Sequence, residues 1–323
     1  MSTLDTLLLL ALPASGKSEL RRFLDSRSRD ELAELHLRPG VQLDDYPYVH
    51  LMRRVSAELT RLGAPPIFFA SSGEGWLEPR DWGALIHLLN EDYAALTSPR
   101  PAAPEAGGVL LRRFDAARRA VGAPAPFDAL DGGVRSELCT AIETEASELD
   151  RLEPVDLAVR TVVIEFARGG PDDARMPLEP PNGYAYSLSQ LSPAILESAA
   201  ILYVWVEPAE SRRRNRERAK PGREGDASIL HHGVPETVMM DEYGTDDIEW
   251  LMEHSDRPGT IAVSAHGRVF HLPIVRFDNR VDRTSFLRSD PASWDGELVD
   301  GLRLALRDAF GQLAQLSDAS AAG

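Results

Sequence analysis

Thr6-Leu7-Leu8-Leu9-Leu10-Ala11-Leu12-Pro13-Ala14-Ser15-Gly16-Lys17-Ser18 is the stretch on which the reading of this chain turns. Leu7 to Leu12 is an unbroken apolar run of strand type. A turn ending in Gly-Lys-Ser follows, and Glu19-Leu20-Arg21-Arg22-Phe23-Leu24 then begins a helical pattern. Strand, turn and helix in that order are the setting of a phosphate-binding loop. In such a loop Pro13, Ala14, Ser15, Gly16, Lys17 and Ser18 surround the phosphates. Backbone N–H groups and the helix N-terminus bind phosphate oxygens, Lys17 reaches the outer phosphates, and the Ser18 hydroxyl ligates a divalent cation. One departure is visible: Ala11 stands where G-x-x-x-x-G-K-[ST] begins with glycine, adding a single methyl group.

The remaining 310 residues bound what such a loop serves. With 323 residues the chain accommodates one large α/β domain with an insertion, or two domains. A formal charge of −16 argues against general binding of nucleic acid or an anionic membrane, both of which need a basic footprint. A single cysteine, Cys139, excludes an intrachain disulfide and lies in a helical run as a packed or half-buried thiol. Leu7 to Leu12 lacks the basic flank and length of a secretory signal and follows Asp5, so a cytoplasmic location is expected.

Along the chain, a helix is expected over residues 16–35, a short strand at Val41-Gln42-Leu43, and a helix from Tyr48 to Leu62. Ile67-Phe68-Phe69-Ala70 is apolar but too short to assign. Trp82, Leu85, Ile86, Leu89 and Tyr93 share one helical face. Residues 98–108 read as a Pro/Ala/Gly linker, with 99–107 dispensable, and helical patterns follow near 109–121 and 134–152. Residues 71–154 are thus expected to form a helical insertion in an α/β core made of 1–70 and 155–310. Strands are expected at 160–167, 198–206, 260–264 and 269–277, the last two joined by a hairpin at His266-Gly267. A final helix over 295–316 and a tail, counted from 311 or 317, complete the chain. Alternating strands and helices predict a mostly parallel sheet covered on both faces, a three-layer α/β/α architecture.

Three further groups carry chemistry. Glu165 closes the strand pattern Val162-Val163-Ile164, where an acid beside the loop strand can hold the same divalent cation as Ser18. The same position also fits an acid merely capping a strand end. Asp44-Asp45-Tyr46 lies at the carboxyl end of the second strand, where ligands of open α/β sheets bind. A carboxylate there, Asp44 first and Asp45 next, can take the proton of an attacking hydroxyl; one of the two also fits a helix N-cap before Pro47. Tyr46, Tyr48 and His50 follow as substrate contacts, while Phe68, Phe69, Trp76 and Trp82 fit either an aromatic pocket or the core. Finally, residues 212–223 hold seven basic side chains against one acid, Glu217. Arg214 and Arg218, four apart on a helix, would close on a phosphate, although a solvated basic face gives the same pattern.

Taken together these features resemble the P-loop kinase superfamily. Gly16-Lys17-Ser18 matches the Walker A core, Asp44-Asp45-Tyr46 is similar to an acceptor-side Asp-x-aromatic motif, and Glu165 stands in place of the Walker B acid. Val206-Glu207-Pro208 with Arg214 to Arg218 resembles the opening of an Arg-rich lid, about 209–245 here. The resemblance covers roughly 1–60 and 155–285. It implies a P-loop NTPase fold, ATP as phosphate donor, Mg²⁺ held through Ser18 and Glu165, and catalytic roles for Lys17, Asp44, Arg214 and Arg218. The partner it implies is a small-molecule acceptor such as a nucleoside, nucleotide or other metabolite, with no nucleic acid and no membrane; the oligomeric state is open and compatible with a dimer. An alternative is a G-protein-like nucleotide switch, or an NTPase serving a partner protein. Asn279-Arg280-Val281-Asp282 imitates a guanine-reading motif and Asp241-Glu242-Tyr243-Gly244 a switch motif, the latter in the wrong chain order.

Overall fold

The computed structural model describes residues 3–98, 100, 105–218 and 233–321. Six strands form one sheet in the order β2-β3-β1-β4-β6-β5. They are β1 (Thr6–Leu10), β2 (Gly40–Asp44), β3 (Thr161–Phe166), β4 (Ala199–Trp205), β5 (Thr260–Ala265) and β6 (Arg268–Asp278). Neighbouring strands from β2 across to β6 run parallel, and β5 closes the edge as the antiparallel arm of a hairpin with β6. The fold is α/β with a mixed, mostly parallel sheet. β1 lies between β3 and β4, which close its edges, and helices cover both faces of the sheet, so every residue of β1 is buried. That is why its sequence is unbroken leucine rather than alternating. Leu8 and Leu10 go into the core on one face, Leu7 and Leu9 into the core on the other.

Twelve helices stand among the described residues. One sheet face is covered by α1 (Lys17–Asp25), α2 (Arg29–Glu34) and α12 (Gly296–Ala321), through Phe23, Leu32, Leu306 and Phe310. The other is covered by α4 (Asp81–Ala95), α7 (Gly183–Ser189), α8 (Pro193–Ser198) and α11 (Ile248–Glu253), through Ile86, Leu89, Leu188, Ile195 and Ile248. A third core lies between α3 (Tyr46–Arg61), α4, α5 (Ala106–Ala120) and α6 (Gly132–Leu149). The helical segment expected as an insertion is therefore tied to the sheet, because α4 contributes side chains to both cores. The remaining helices, α9 (Pro208–Arg218) and α10 (Glu236–Asp241), stand beside the carboxyl ends of the strands.

Several expected boundaries shift for local reasons. The helix after the glycine loop stops at Asp25, and α2 starts anew because Ser28 and Glu31 form a reciprocal capping box. Residues 67–70 form neither helix nor strand. The linker ends earlier than expected, since α5 begins at Ala106 and Glu143 accepts the N–H groups of Ala106 (2.9 Å) and Gly107 (2.7 Å). Arg100 also pairs with Asp92 and with Asp150 (3.0 Å), so of the expected linker Arg100, Ala106 and Gly107 are tied to the helical core, while 99 and 101–104 lie outside the described residues. The C-terminal segment is helical through Ala321, not a tail from 311 or 317. The basic run beyond Arg218, with Lys220 and Arg223, lies outside the described residues. No helix among the described residues is long and apolar enough to cross a membrane.

Candidate functional site

A cavity of about 350 Å³ opens at the carboxyl ends of β1, β2 and β3. Its floor is the loop Pro13–Ser18, whose shape is set by two positive backbone angles, φ 56° at Ala14 and φ 107° at Gly16. Gly16 has no room for a side chain: a Cβ would stand 2.6 Å from Asn279 Nδ2 and closer still to Thr284 Oγ1. Ala11 is not at a positive-φ position, so the glycine expected there is not required by the backbone. Tyr184 Oη bonds both the N–H and the carbonyl of Ala11 at 2.9 Å, and Asn279 Nδ2 donates to Ser15 O at 2.7 Å. The loop is thus braced from both sides. Among the described residues, none of the backbone N–H groups of Ala14 to Ser18 donates to another protein group, and Ser15 Oγ is buried without a partner. A braced loop with five uncommitted amides is a concavity for an anion.

Lys17 lies across this loop. Its ammonium donates to the carbonyls of Ala11 (2.9 Å) and Leu12 (3.3 Å), and burial holds its pKa below the ordinary lysine range. Ser18 Oγ donates to Glu165 Oε1 at 2.9 Å, while Glu165 Oε2 is buried without a hydrogen bond, 3.1 Å from Arg21 Nη1. Burial, reinforced by the neighbouring Asp44, pushes the Glu165 carboxyl up to about 7. Asp44 pairs with Glu165 across β2 and β3 and shares Arg21 with it at 2.8 Å. Asp44 also accepts the Tyr46 N–H at 2.9 Å, while Asp45, the N-cap residue of α3, makes no side-chain capping bond. Among the described residues no set of three or more His, Cys, Asp or Glu side chains is gathered for a metal. One hydroxyl and one or two carboxylates do fit a Mg²⁺ whose other ligands are phosphate oxygens and water.

Asp45 faces a different partner. Its Oδ2 accepts from Arg168 Nη1 at 2.6 Å, and burial raises its pKa although Arg168 opposes the shift. Among the described residues no group bonds the other oxygen of Asp45. Arg168 is only 1% exposed, donates also to Ser187 Oγ (3.0 Å) and lies over the Trp82 ring at 4.6 Å. Beyond Asp45 the cavity is walled by rings in sequence: Phe69 to Trp76 (4.2 Å), Trp76 to Trp82 (5.2 Å) and Trp82 to Tyr243 (5.6 Å between centroids). Tyr243 comes to the wall because Gly170 and Thr245 pair as a two-residue bridge. Gly169 beside it permits the approach, since a Cβ there would sit 2.5 Å from Thr245 O.

Of the expected site residues, Lys17, Ser18, Asp44, Asp45, Tyr46, His50, Glu165 and Arg218 line this one cavity with the loop Pro13–Ser18. Two do not join them. Tyr48 turns into the helical core, where its hydroxyl donates to Asp92 and accepts from Arg113, both at 2.7 Å. Arg214 is 1% exposed and spent on Glu210 (2.7 Å) and Asn279 O (2.8 Å), so it joins α9 to the loop after β6 and is absent from the cavity wall. Arg218 lines the cavity with its Nε buried and without a hydrogen bond, its Nη2 3.3 Å from Glu19. Glu19 is fully buried, and although burial pushes its carboxyl up, Arg218 and Arg288 outweigh this and hold it below the usual range. Phe68 is core, whereas Phe69, Trp76 and Trp82 line the cavity. Sequence reasoning missed Arg21, Arg168, Glu242 as a wall residue, and Asn279 as the brace of the loop. The spacing Glu165-Phe166-Ala167-Arg168 at a strand end was the available signal for Arg168.

No family model matches this chain, and no curated protein or solved structure gives a match.

Proposed function

We propose that this protein is an ATP-dependent phosphotransferase of the P-loop kinase type, acting on a hydroxyl of a small-molecule acceptor. The observation that carries the reading is the group of five uncommitted backbone amides, Lys17 and the Ser18–Glu165 pair, opening onto the same cavity as Asp45. The order of the strands supports it too, with the loop strand β1 directly beside the strand that bears Glu165. The loop amides and Lys17 hold the terminal phosphates. Ser18 and Glu165, with Asp44 behind them, hold Mg²⁺, which supplies charge neutralisation at the phosphate oxygens. The acceptor oxygen attacks the γ-phosphorus, the bond from that phosphorus to the β,γ-bridging oxygen breaks, and ADP leaves with the electron pair. The acceptor proton passes to a carboxylate.

That carboxylate is assigned to Asp45 rather than Asp44. Both Asp44 oxygens already serve protein donors, Arg21 and the Tyr46 N–H, whereas Asp45 keeps one oxygen without a protein partner and burial favours its protonated form. Arg218, with its uncommitted Nε, is placed to meet charge spreading over the transferring group.

The test is calorimetric titration with Mg·ATP together with mass-spectrometric detection of a phosphorylated acceptor. Lys17→Ala should reduce turnover at least about 100-fold with little change in the melting midpoint. A Lys17→Ala protein that binds and turns over Mg·ATP like the parent overturns the assignment. Protection by GTP and not by ATP would favour a nucleotide switch instead.

A further inference from the structure

Resting on the phosphotransferase reading, we infer that the acceptor is an uncharged, ring-bearing alcohol, and that phosphorylated or cationic acceptors are excluded. The argument begins with the four rings Phe69, Trp76, Trp82 and Tyr243, which meet tilted or edge to face as one continuous wall. Aromatic surface of this extent rewards a flat or chair-shaped ring laid against it and gives an acyclic alcohol little to contact. Asp45 lines the same cavity, and Arg168 ties it to the wall by bonding the carboxylate and lying over the Trp82 ring.

The charged groups at this end of the cavity are already engaged by the protein. A phosphate on the acceptor would need charge-assisted donors to replace its hydration. Among the described residues, Arg168 and Arg53 lie over rings of the wall. Arg168 is buried and gives its N–H groups to Asp45, Ser187 and the carbonyls of Ala167 and Trp82. Arg53 donates to the carbonyls of Ser72 (3.0 Å) and Glu74 (3.2 Å) and lies 3.9 Å over the Phe69 ring, and burial holds its pKa below the ordinary arginine range although Glu242 opposes the shift. An anionic acceptor would therefore face Asp45 and Glu242, and at the wall it would have to draw Arg53 away from the carbonyls of Ser72 and Glu74. A cationic acceptor fares no better. The faces of Phe69 and Trp82 already carry Arg53 and Arg168, which would repel it, and the Glu242 carboxylate is held by the Trp76 N–H at 2.9 Å. Among the described residues no cation covers Trp76 or Tyr243, and these are the rings left for a neutral guest.

The experiment uses the full chain with Mg·ATP and four acceptor groups. These are neutral ring alcohols (nucleosides in one arm, pyranoses and cyclitols in the other), their monophosphates, ring-bearing amino sugars, and acyclic polyols. Phosphorylated product is read by mass spectrometry, and acceptor binding by quenching of tryptophan fluorescence. At least one neutral ring alcohol should be turned over, with kcat/KM at least about 100-fold above its monophosphate. Trp76→Ala should raise the acceptor KM by about 10- to 100-fold while the ATP dissociation constant holds, and Trp76→Phe should recover most of the loss. Preference for a phosphate ester, an amino sugar or an acyclic polyol overturns the inference. So does the absence of both turnover and quenching by every neutral ring alcohol in a protein that still binds ATP. Loss of ATP binding itself, unchanged between parent and Lys17→Ala, would instead overturn the phosphotransferase reading beneath it.

Discussion

Replacing Gly16 by alanine tests the claim that the loop is a braced concavity rather than a chance sequence. At φ 107° and ψ 8° an L-residue lies outside its ordinary backbone basins, which costs about 1–3 kcal/mol. The added Cβ also falls 2.6 Å from Asn279 Nδ2, well inside contact distance. Either the loop moves or Asn279 gives up its bonds to Ser15 O (2.7 Å) and Thr284 Oγ1 (2.9 Å). Losing those two buried bonds adds about 1–2 kcal/mol. The sum is about 2–5 kcal/mol. With an unfolding entropy of about 2.1 cal/mol/K per residue, a chain of this length should melt about 3–7 °C lower. Scanning calorimetry reads the shift, and titration with Mg·ATP should show at least a 100-fold loss of affinity. Gly301→Ala is the control of opposite sign, since that glycine lies in α12 with nothing within 4 Å of a new Cβ, and alanine there should stabilise by about 0.5–1 kcal/mol. A Gly16→Ala protein that melts within 1 °C of the parent, roughly the resolution of such a scan, and binds Mg·ATP equally well would refute the bracing argument.

Other outcomes follow from the same contacts. Arg214→Ala should destabilise by about 2–4 kcal/mol, because it abandons a buried network, whereas Arg218→Ala should cut kcat at least about 30-fold with a small change in melting; equal stability losses in denaturant titrations would contradict this division. Deleting residues 99–107 should cost folding stability, read by urea titration, because it removes Arg100 and the start of α5. Asp246 accepts from Tyr203 Oη (2.8 Å) and the Ile248 N–H (3.0 Å), and burial raises its folded pKa to about 7, above the unfolded value. The folded state then holds a proton that the unfolded chain releases, so this group's contribution is full below about pH 4 and is lost as pH rises toward 7. Asp246→Asn keeps the Ile248 N–H bond through its amide oxygen and the Tyr203 contact with the amide now donating to the hydroxyl, and should gain on the order of 2–3 kcal/mol at pH 8 and almost nothing at pH 4, the residue's partial solvent contact trimming the full shift; equal gains at both pH values would exclude the titration.

What could be read from the sequence was what local pattern encodes. Leu7 to Leu10 could only be an interior strand, and Gly16-Lys17-Ser18 after it had one reasonable backbone. Asp44 and Glu165 were found because each ends an apolar strand run, and the sheet then sets them side by side. The ring wall was half found. Phe69, Trp76, Trp82 and Tyr243 come from separate segments, so no periodicity joins them, and Phe68 differs from Phe69 only in which way its loop position turns. Arg214 misled because a helix of arginines does not say which face is inward. Ser211 bonding Pro13 O at 2.7 Å, with Arg214 and Asn215 buried at the next turn, marks that face in hindsight. The break at Asp25 was legible and overlooked: Ser28-Arg29-Asp30-Glu31 is a capping-box sequence.

The central position of β1 has a consequence for how the molecule is made. Both strands that pair with it, β3 and β4, are encoded more than 150 residues downstream, at Thr161–Phe166 and Ala199–Trp205. At about 5–20 residues per second on the ribosome, the leucine strand waits on the order of 10–30 s before its first hydrogen-bonding neighbour is synthesised. During that interval its amides and carbonyls are open on both edges, the state in which strands associate with the wrong chain. Nascent chains halted before Phe166 should therefore need a holding chaperone to stay in solution, while chains that extend past Trp205 should be released from it.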